Sequence, residues 1–131
     1  MSVLPLLIQE AIKARAKAYA PYSRFSVGSA LSCDGLIYSG CNVENAAYPL
    51  GSCAEAGAIS AMIMAGMRKI DEVVVVGGDL PCTPCGGCRQ KLREFANPDL
   101  KIYMVSAQGD VLLVRTLEQL LPDSFGPDHL V

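Results

Sequence analysis

Three cysteines at even spacing, Cys82, Cys85 and Cys88 in the stretch PCTPCGGCRQ, constrain this chain more than any other feature. They stand among Pro and Gly rather than in an apolar run, where a cysteine would be a small core hydrophobe. Thr83 is a candidate helix N-cap with Pro84 at the first helical position, and the helix then runs through Arg89, Leu92 and Phe95 to the stop at Asn97-Pro98. Cys85 and Cys88 lie one turn apart on one face of that helix, and Cys82 falls outside it. A second helix start has the same character, with Cys53 following the candidate cap Ser52. Helix N-termini favour thiolates, so two of them facing one cation would gather Cys53, Cys85 and Cys88.

The sole histidine is His129, the third residue from the end of the chain, and it reads as part of a terminal tail. Three thiolates with one open position is the plan of a catalytic zinc site, whereas a structural site closes with a fourth Cys or His. Glu55 is two residues from Cys53, off its helix face, which suits an acid/base beside the metal better than a ligand. The same residues also fit a capping box, Ser52-x-x-Glu55, in which the carboxylate only binds backbone. A lone C-x-x-C fits a redox pair or half a zinc ribbon as well. Cys33 and Cys41 read as inert strand thiols, Cys82 as a redundant one, and Met62, Met64 and Met67 as helix core or interface packing.

Around these features the chain reads as one domain over residues 1–131, without linker, low-complexity tract or repeat. Residues 3–18 have helical apolar spacing and stop at APYS. FSVGSALSC and LIYSGC form a hairpin about Asp34-Gly35. A helix is expected from Cys53 to Gly66. The unalternating EVVVVGG predicts a central strand covered on both faces. KIYMVSA and VLLVRT flank a turn at Gln108-Gly109-Asp110, and a last helix, Leu117 to Leu121, stops at Pro122. The order α-β-β-α-β-α-β-β-α predicts an α/β fold of three layers, α/β/α, with a mixed five-stranded sheet and a right-handed crossover after the central strand. A net charge of -2 and a pI near 5.3 argue against a nucleic-acid partner. No segment reads as a membrane span, and the start reads as an amphipathic helix rather than a signal peptide, so a reducing, cytoplasmic setting is expected.

Taken together, APYSRFSVGSAL, GCNVENAAYPLGSCAEAGAI, PCGGCRQ and LLPDSFGPDHL resemble the small, homotetrameric, zinc-dependent cytidine deaminases over nearly the whole chain. The C-A-E with P-C-x-x-C pair matches the zinc deaminase signature. The resemblance implies that Cys53, Cys85 and Cys88 hold Zn²⁺ and that an activated water attacks C4 of free cytidine or deoxycytidine. Glu55 would move the protons and release ammonia, a step of pyrimidine salvage. It also implies that Asn42 and Glu44 bind ribose hydroxyls, that Phe25 packs on the base, and that the Ala54 backbone fixes it. Phe125 of SFGP would enter a neighbour's pocket, with Tyr48 near the same interface. The family usually carries Arg after C-A-E, where this chain has Ala56, so Ala56→Arg is expected to shift the pH–rate profile toward lower pH. Related deaminases of modified cytosine nucleosides, including blasticidin-type antibiotics, share the metal motif, and a non-catalytic zinc-binding module is the alternative outside enzymes.

Overall fold

The computed structural model describes residues 2–130; the two ends of the expected 1–131 domain, Met1 and Val131, lie outside the described residues. In chain order the elements are α1 (Leu4–Arg15), β1 (Gly28–Cys33), β2 (Leu36–Cys41), α2 (Ala54–Met64), β3 (Glu72–Val76), α3 (Gly86–Glu94), β4 (Lys101–Val105), β5 (Val111–Thr116) and α4 (Leu117–Leu120). Short 3₁₀ turns occupy Tyr48–Leu50 and Pro127–Leu130. The five strands form one mixed sheet in the order β2-β1-β3-β4-β5, antiparallel except for the parallel β3/β4 pair.

β3 lies at the centre, and its valines show why the sequence does not alternate. Val74 and Val76 pack with Leu7 and Ala11 of α1 and Ala30 of β1. Val73 and Val75 face the other way, against Ala58, Ile59 and Met62 of α2 and Leu92 of α3. All four are fully buried. Successive strand side chains point to opposite faces, so a strand with a helix layer on each side needs apolar residues at every position. The expected three-layer α/β/α sandwich follows. At the first hairpin Asp34 and Gly35 both take positive φ, 52° and 81°, as a two-residue type I′ turn requires.

Several boundaries differ from the sequence reading. α1 stops at Arg15 rather than continuing to Ala18, because Tyr19 is drawn into a bridge: its N–H donates to the Asn42 carbonyl and its carbonyl accepts from the Glu44 N–H. β1 begins at Gly28, since the Asn42 side chain takes up both the Val27 N–H (2.8 Å) and the Phe25 carbonyl (2.8 Å). Thr83 and Ser52 are not the caps. α3 is capped by Cys85 and α2 by Cys53, each in extended backbone at a helix threshold. Pro84 therefore precedes α3 instead of opening it, and the alternative reading of Ser52 and Glu55 as a capping box is not realised.

The topology brings two of these thresholds together. Cys41 at the end of β2 and Val76 at the end of β3 both pair with Gly28, so two parallel strands finish level on either side of it. Each then leads through a loop to a helix start, α2 from one and α3 from the other. α2 approaches β2 closely, because a Cβ on Gly40 would stand 2.5 Å from the Ala54 carbonyl oxygen and 2.5 Å from the Ala58 nitrogen.

Candidate metal centre and active site

Cys53, Cys85 and Cys88 bring their sulfurs within 4.8 Å of one another. Cys53 and Cys85 cap the two facing helices, and Cys88 lies one turn into α3, fully buried. The Cys53 and Cys85 sulfurs are 3.8 Å apart. Two thiolates bound at about 2.3 Å on a tetrahedral ion stand about 3.8 Å from each other, so the donor set and its spacing fit Zn²⁺. Among the described residues these three form the one Cys, His or carboxylate cluster with metal-ligand spacing.

The sulfurs differ in electrostatic setting. The Cys85 thiol is held below its ordinary pKa by the backbone N–H of Cys88, assisted by that of Gly87. Burial pushes the Cys53 and Cys88 thiols up. A dication binding here therefore displaces protons that burial favours keeping.

A cavity of about 360 Å³ opens beside the sulfurs, walled by Asn42, Glu44, Tyr48, Ala54, Glu55 and Cys82 among others. Glu55 reaches it from the first turn of α2 and is only 4% exposed. Its pKa is raised because burial disfavours the carboxylate. Ala54 is completely buried behind it, and the half-buried Cys82 lines the cavity without joining the sulfur cluster. Phe25 stands at the same end of the sheet, its ring tip 2.9 Å from the point a Cβ on Gly77 would occupy and next to Cys82.

Asn42 and Glu44 have a structural duty that the sequence did not show. Asn42 clamps Phe25 and Val27, while Glu44 Oε1 accepts the N–H groups of Tyr22 (3.0 Å) and Ser23 (3.1 Å) and its Oε2 accepts the Ser23 hydroxyl. The Ser23 hydroxyl bond leads the causes that hold Glu44 below the ordinary carboxylate range. Both side chains thus fix the segment carrying Phe25 while facing the cavity. Arg89 is a further strut missed in the sequence. It donates to the Pro84 carbonyl at 2.7 Å and to the Leu120 carbonyl at 2.8 Å, which fixes the approach to Cys85.

Of the two residues expected at a shared site, one stands apart. Phe125 does not line the cavity of its own chain; its ring stacks on His129 at 5.2 Å, and its carbonyl accepts from Gln90 on α3. His129 is accordingly part of the ordered C-terminal turn, its Nδ1 accepting the Gly126 N–H at 3.0 Å. Tyr48 borders the cavity and is 76% exposed, edge-on to Tyr22 at 6.1 Å.

An α/β sandwich with three thiols at two converging helix starts and a buried carboxyl beside them defines a zinc-dependent hydrolytic enzyme. The comparisons narrow that class. Residues 1–104 match the family model described as the cytidine and deoxycytidylate deaminase zinc-binding region. The chain is 43% identical over 126 residues to a cytidine deaminase of Sporosarcina psychrophila, covering 95% of this chain and 92% of that one. It is 44% identical over 127 residues to a cytidine deaminase of Halalkalibacterium halodurans, covering 95% and 96%. The crystal structure of cytidine deaminase from Burkholderia pseudomallei superposes with a TM-score of 0.87 at 46% identity, over 95% of this chain and 100% of that one. This chain belongs to the cytidine and deoxycytidylate deaminase zinc-binding family.

Proposed function

We propose that this chain is a zinc-dependent hydrolase that deaminates free cytidine and deoxycytidine to uridine and deoxyuridine with release of ammonia, acting in pyrimidine salvage in the cytoplasm. The observation that carries the reading is the placement of one buried carboxyl, Glu55, in the wall of the same cavity as Cys53 and Cys85. Zn²⁺, held by Cys53, Cys85 and Cys88, would supply the Lewis acid that makes water nucleophilic near neutral pH. Glu55 takes one proton from the attacking water and delivers it to N3 of the ring, then takes the proton of the newly added hydroxyl and passes it to the departing amine, and its burial favours the protonated form that each transfer passes through. Phe25 packs on the base, the Ala54 backbone fixes its edge, and Asn42 and Glu44 meet the ribose hydroxyls. The cavity, about 360 Å³, falls within the range of small-molecule sites and suits a free nucleoside. The negative net charge disfavours a polynucleotide, and no helix among the described residues is long and apolar enough to cross a membrane.

The domain is a single catalytic unit over 1–131, and four copies assemble with shared sites, Phe125 of one reaching the cavity of the next beside Tyr48. Supporting this, Phe125 and Tyr48 are both exposed and Phe125 lies apart from its own cavity. Steady-state deamination of both nucleosides by the zinc-loaded protein tests the reading, with Glu55→Ala in parallel. Turnover is expected in the parent and a loss of about 10²-fold or more in the variant at unchanged zinc content. A folded, zinc-loaded parent without turnover on either nucleoside would overturn the substrate assignment.

A further inference from the structure

Three thiolates around a dication leave an excess negative charge, and Glu55 adds another beside it. The starts of α2 and α3 offset part of this through their dipoles, each equivalent to about half a positive charge. One further cation stands close. Lys91 is four residues after Gly87 on α3, and a helical side chain leans back over the turn that precedes it. Gly87 has no side chain to block that path. A Cβ built there would lie 3.9 Å from the Lys91 Nζ and 3.9 Å from the Cys85 Sγ, so the ammonium and the sulfur are at most twice that distance apart.

The orientation runs against the helix dipole. An ammonium folded over a helix N-terminus opposes the dipole unless anions there outweigh it. No salt bridge among the described residues involves Lys91, so no carboxylate pairing explains where it points. What it does approach is the thiol cluster, and its charge acts on Glu55 as well.

We propose that Lys91 is a positioning charge for the metal centre: its ammonium, lying over Gly87, balances the thiolates and strengthens their hold on zinc. This rests on the assignment of Cys53, Cys85 and Cys88 as ligands. Lys91 touches neither metal nor substrate, and it acts through the field across the open face of Gly87.

The test is zinc competition against a chromophoric chelator, carried out on the zinc-loaded protein and its Lys91→Met, Lys91→Arg and Lys91→Glu variants. Because Lys91 is exposed on the outside of α3, all three are expected to fold. Outer-sphere partners change metal affinity by about 10- to 100-fold, and an exposed charge falls at or below the lower end. The expected result is about three- to tenfold weaker zinc binding in Lys91→Met, weaker still in Lys91→Glu, and restoration to near the parent in Lys91→Arg. The differences should shrink as salt rises from about 0.05 M to about 0.5 M. Equal affinity of Lys91→Met and parent at low salt, or failure of Lys91→Arg to recover it, would overturn the proposal. Cys53→Ala is the separate control. If the parent binds one zinc and that variant loses it while Lys91 is indifferent, the ligand assignment stands and the role of Lys91 falls. If the parent binds no zinc, both fall.

Discussion

Glu55 and Glu44 are carboxylates in the wall of one cavity, and their surroundings push them in opposite directions. Glu55 meets apolar surface in the first turn of α2, which favours its protonated form. Glu44 receives a hydroxyl and two N–H groups from Tyr22 and Ser23, which favour its ionised form. The two therefore link to stability with opposite signs. For Glu44 the folded pKa is depressed, so its clamp on the Tyr22–Ser23 turn is complete above the ordinary value of 4.5 and is lost as pH falls through the lower folded value. The amide resonances of Tyr22 and Ser23 should hence stay unchanged from about pH 8 to about pH 5, while Glu44→Gln shifts them throughout that range. For Glu55 the folded pKa is raised, so its ionisation costs stability as pH rises from the ordinary carboxylate value through the raised one. In zinc-free protein at neutral pH, Glu55→Gln should raise the melting temperature even though it removes the proposed acid/base. An equal or lower melting temperature would show that the carboxylate is not penalised there.

At the scale of elements, the site depends on how closely α2 lies on β2. Gly40 faces the Ala54 carbonyl and the Ala58 nitrogen at distances no Cβ tolerates, so Gly40→Ala must push the first turn of α2 outward. Overpacking of this kind costs about 1–3 kcal/mol, read as a lower urea midpoint. It should also lower zinc affinity, because Cys53 caps the displaced helix; an unchanged metal affinity would mean the helix start moves independently of the sheet. These spacings explain what the sequence could and could not convey. The β-branched run Glu72–Val76, the Asp34-Gly35 turn and the two helix starts were legible because each rests on chemistry local to a few residues. The clustering of Cys53, Cys85 and Cys88 was legible because two helix starts and one helical repeat bring them together. The caps themselves were misplaced by one residue at Ser52 and by two at Thr83, since a cysteine at a threshold is not a usual cap. Gly40, the Arg89 strut and the clamps made by Asn42 and Glu44 were hidden, because each joins segments whose proximity only the fold creates. The capping box at Thr116 and Gln119, by contrast, carried a local signature and went unread.

For the whole molecule, the distribution of exposed apolar side chains bears on whether one chain completes its own site. Tyr48 and Leu50 stand out from the 3₁₀ turn near the cavity, Met64 ends α2 at 89% exposure, and Val111, Leu112 and Val114 are open along the edge strand β5. Of these Tyr48 borders the cavity, and a large exposed aromatic at the rim of a binding site suits an association surface more than a solvated one. The C-terminal turn that carries Phe125 is fastened to α3 instead of the cavity, through the Arg93–Asp128 pair at 2.7 Å and Arg93 to the Ser124 hydroxyl at 2.8 Å. A ring held rigidly outward in this way can serve a neighbouring chain without an ordering cost at assembly. If Phe125 completes a neighbour's site, activity and assembly must rise and fall together. Sedimentation should give a species about four times the 13.9 kDa chain mass, and specific activity should decline on dilution in step with its dissociation. Phe125→Ala should leave the fold of the single chain intact and lower kcat/KM, because the ring makes no contact with its own core. Specific activity that stays constant as the assembly dissociates would instead place the whole site within one chain and leave Phe125 with only its stacking on His129.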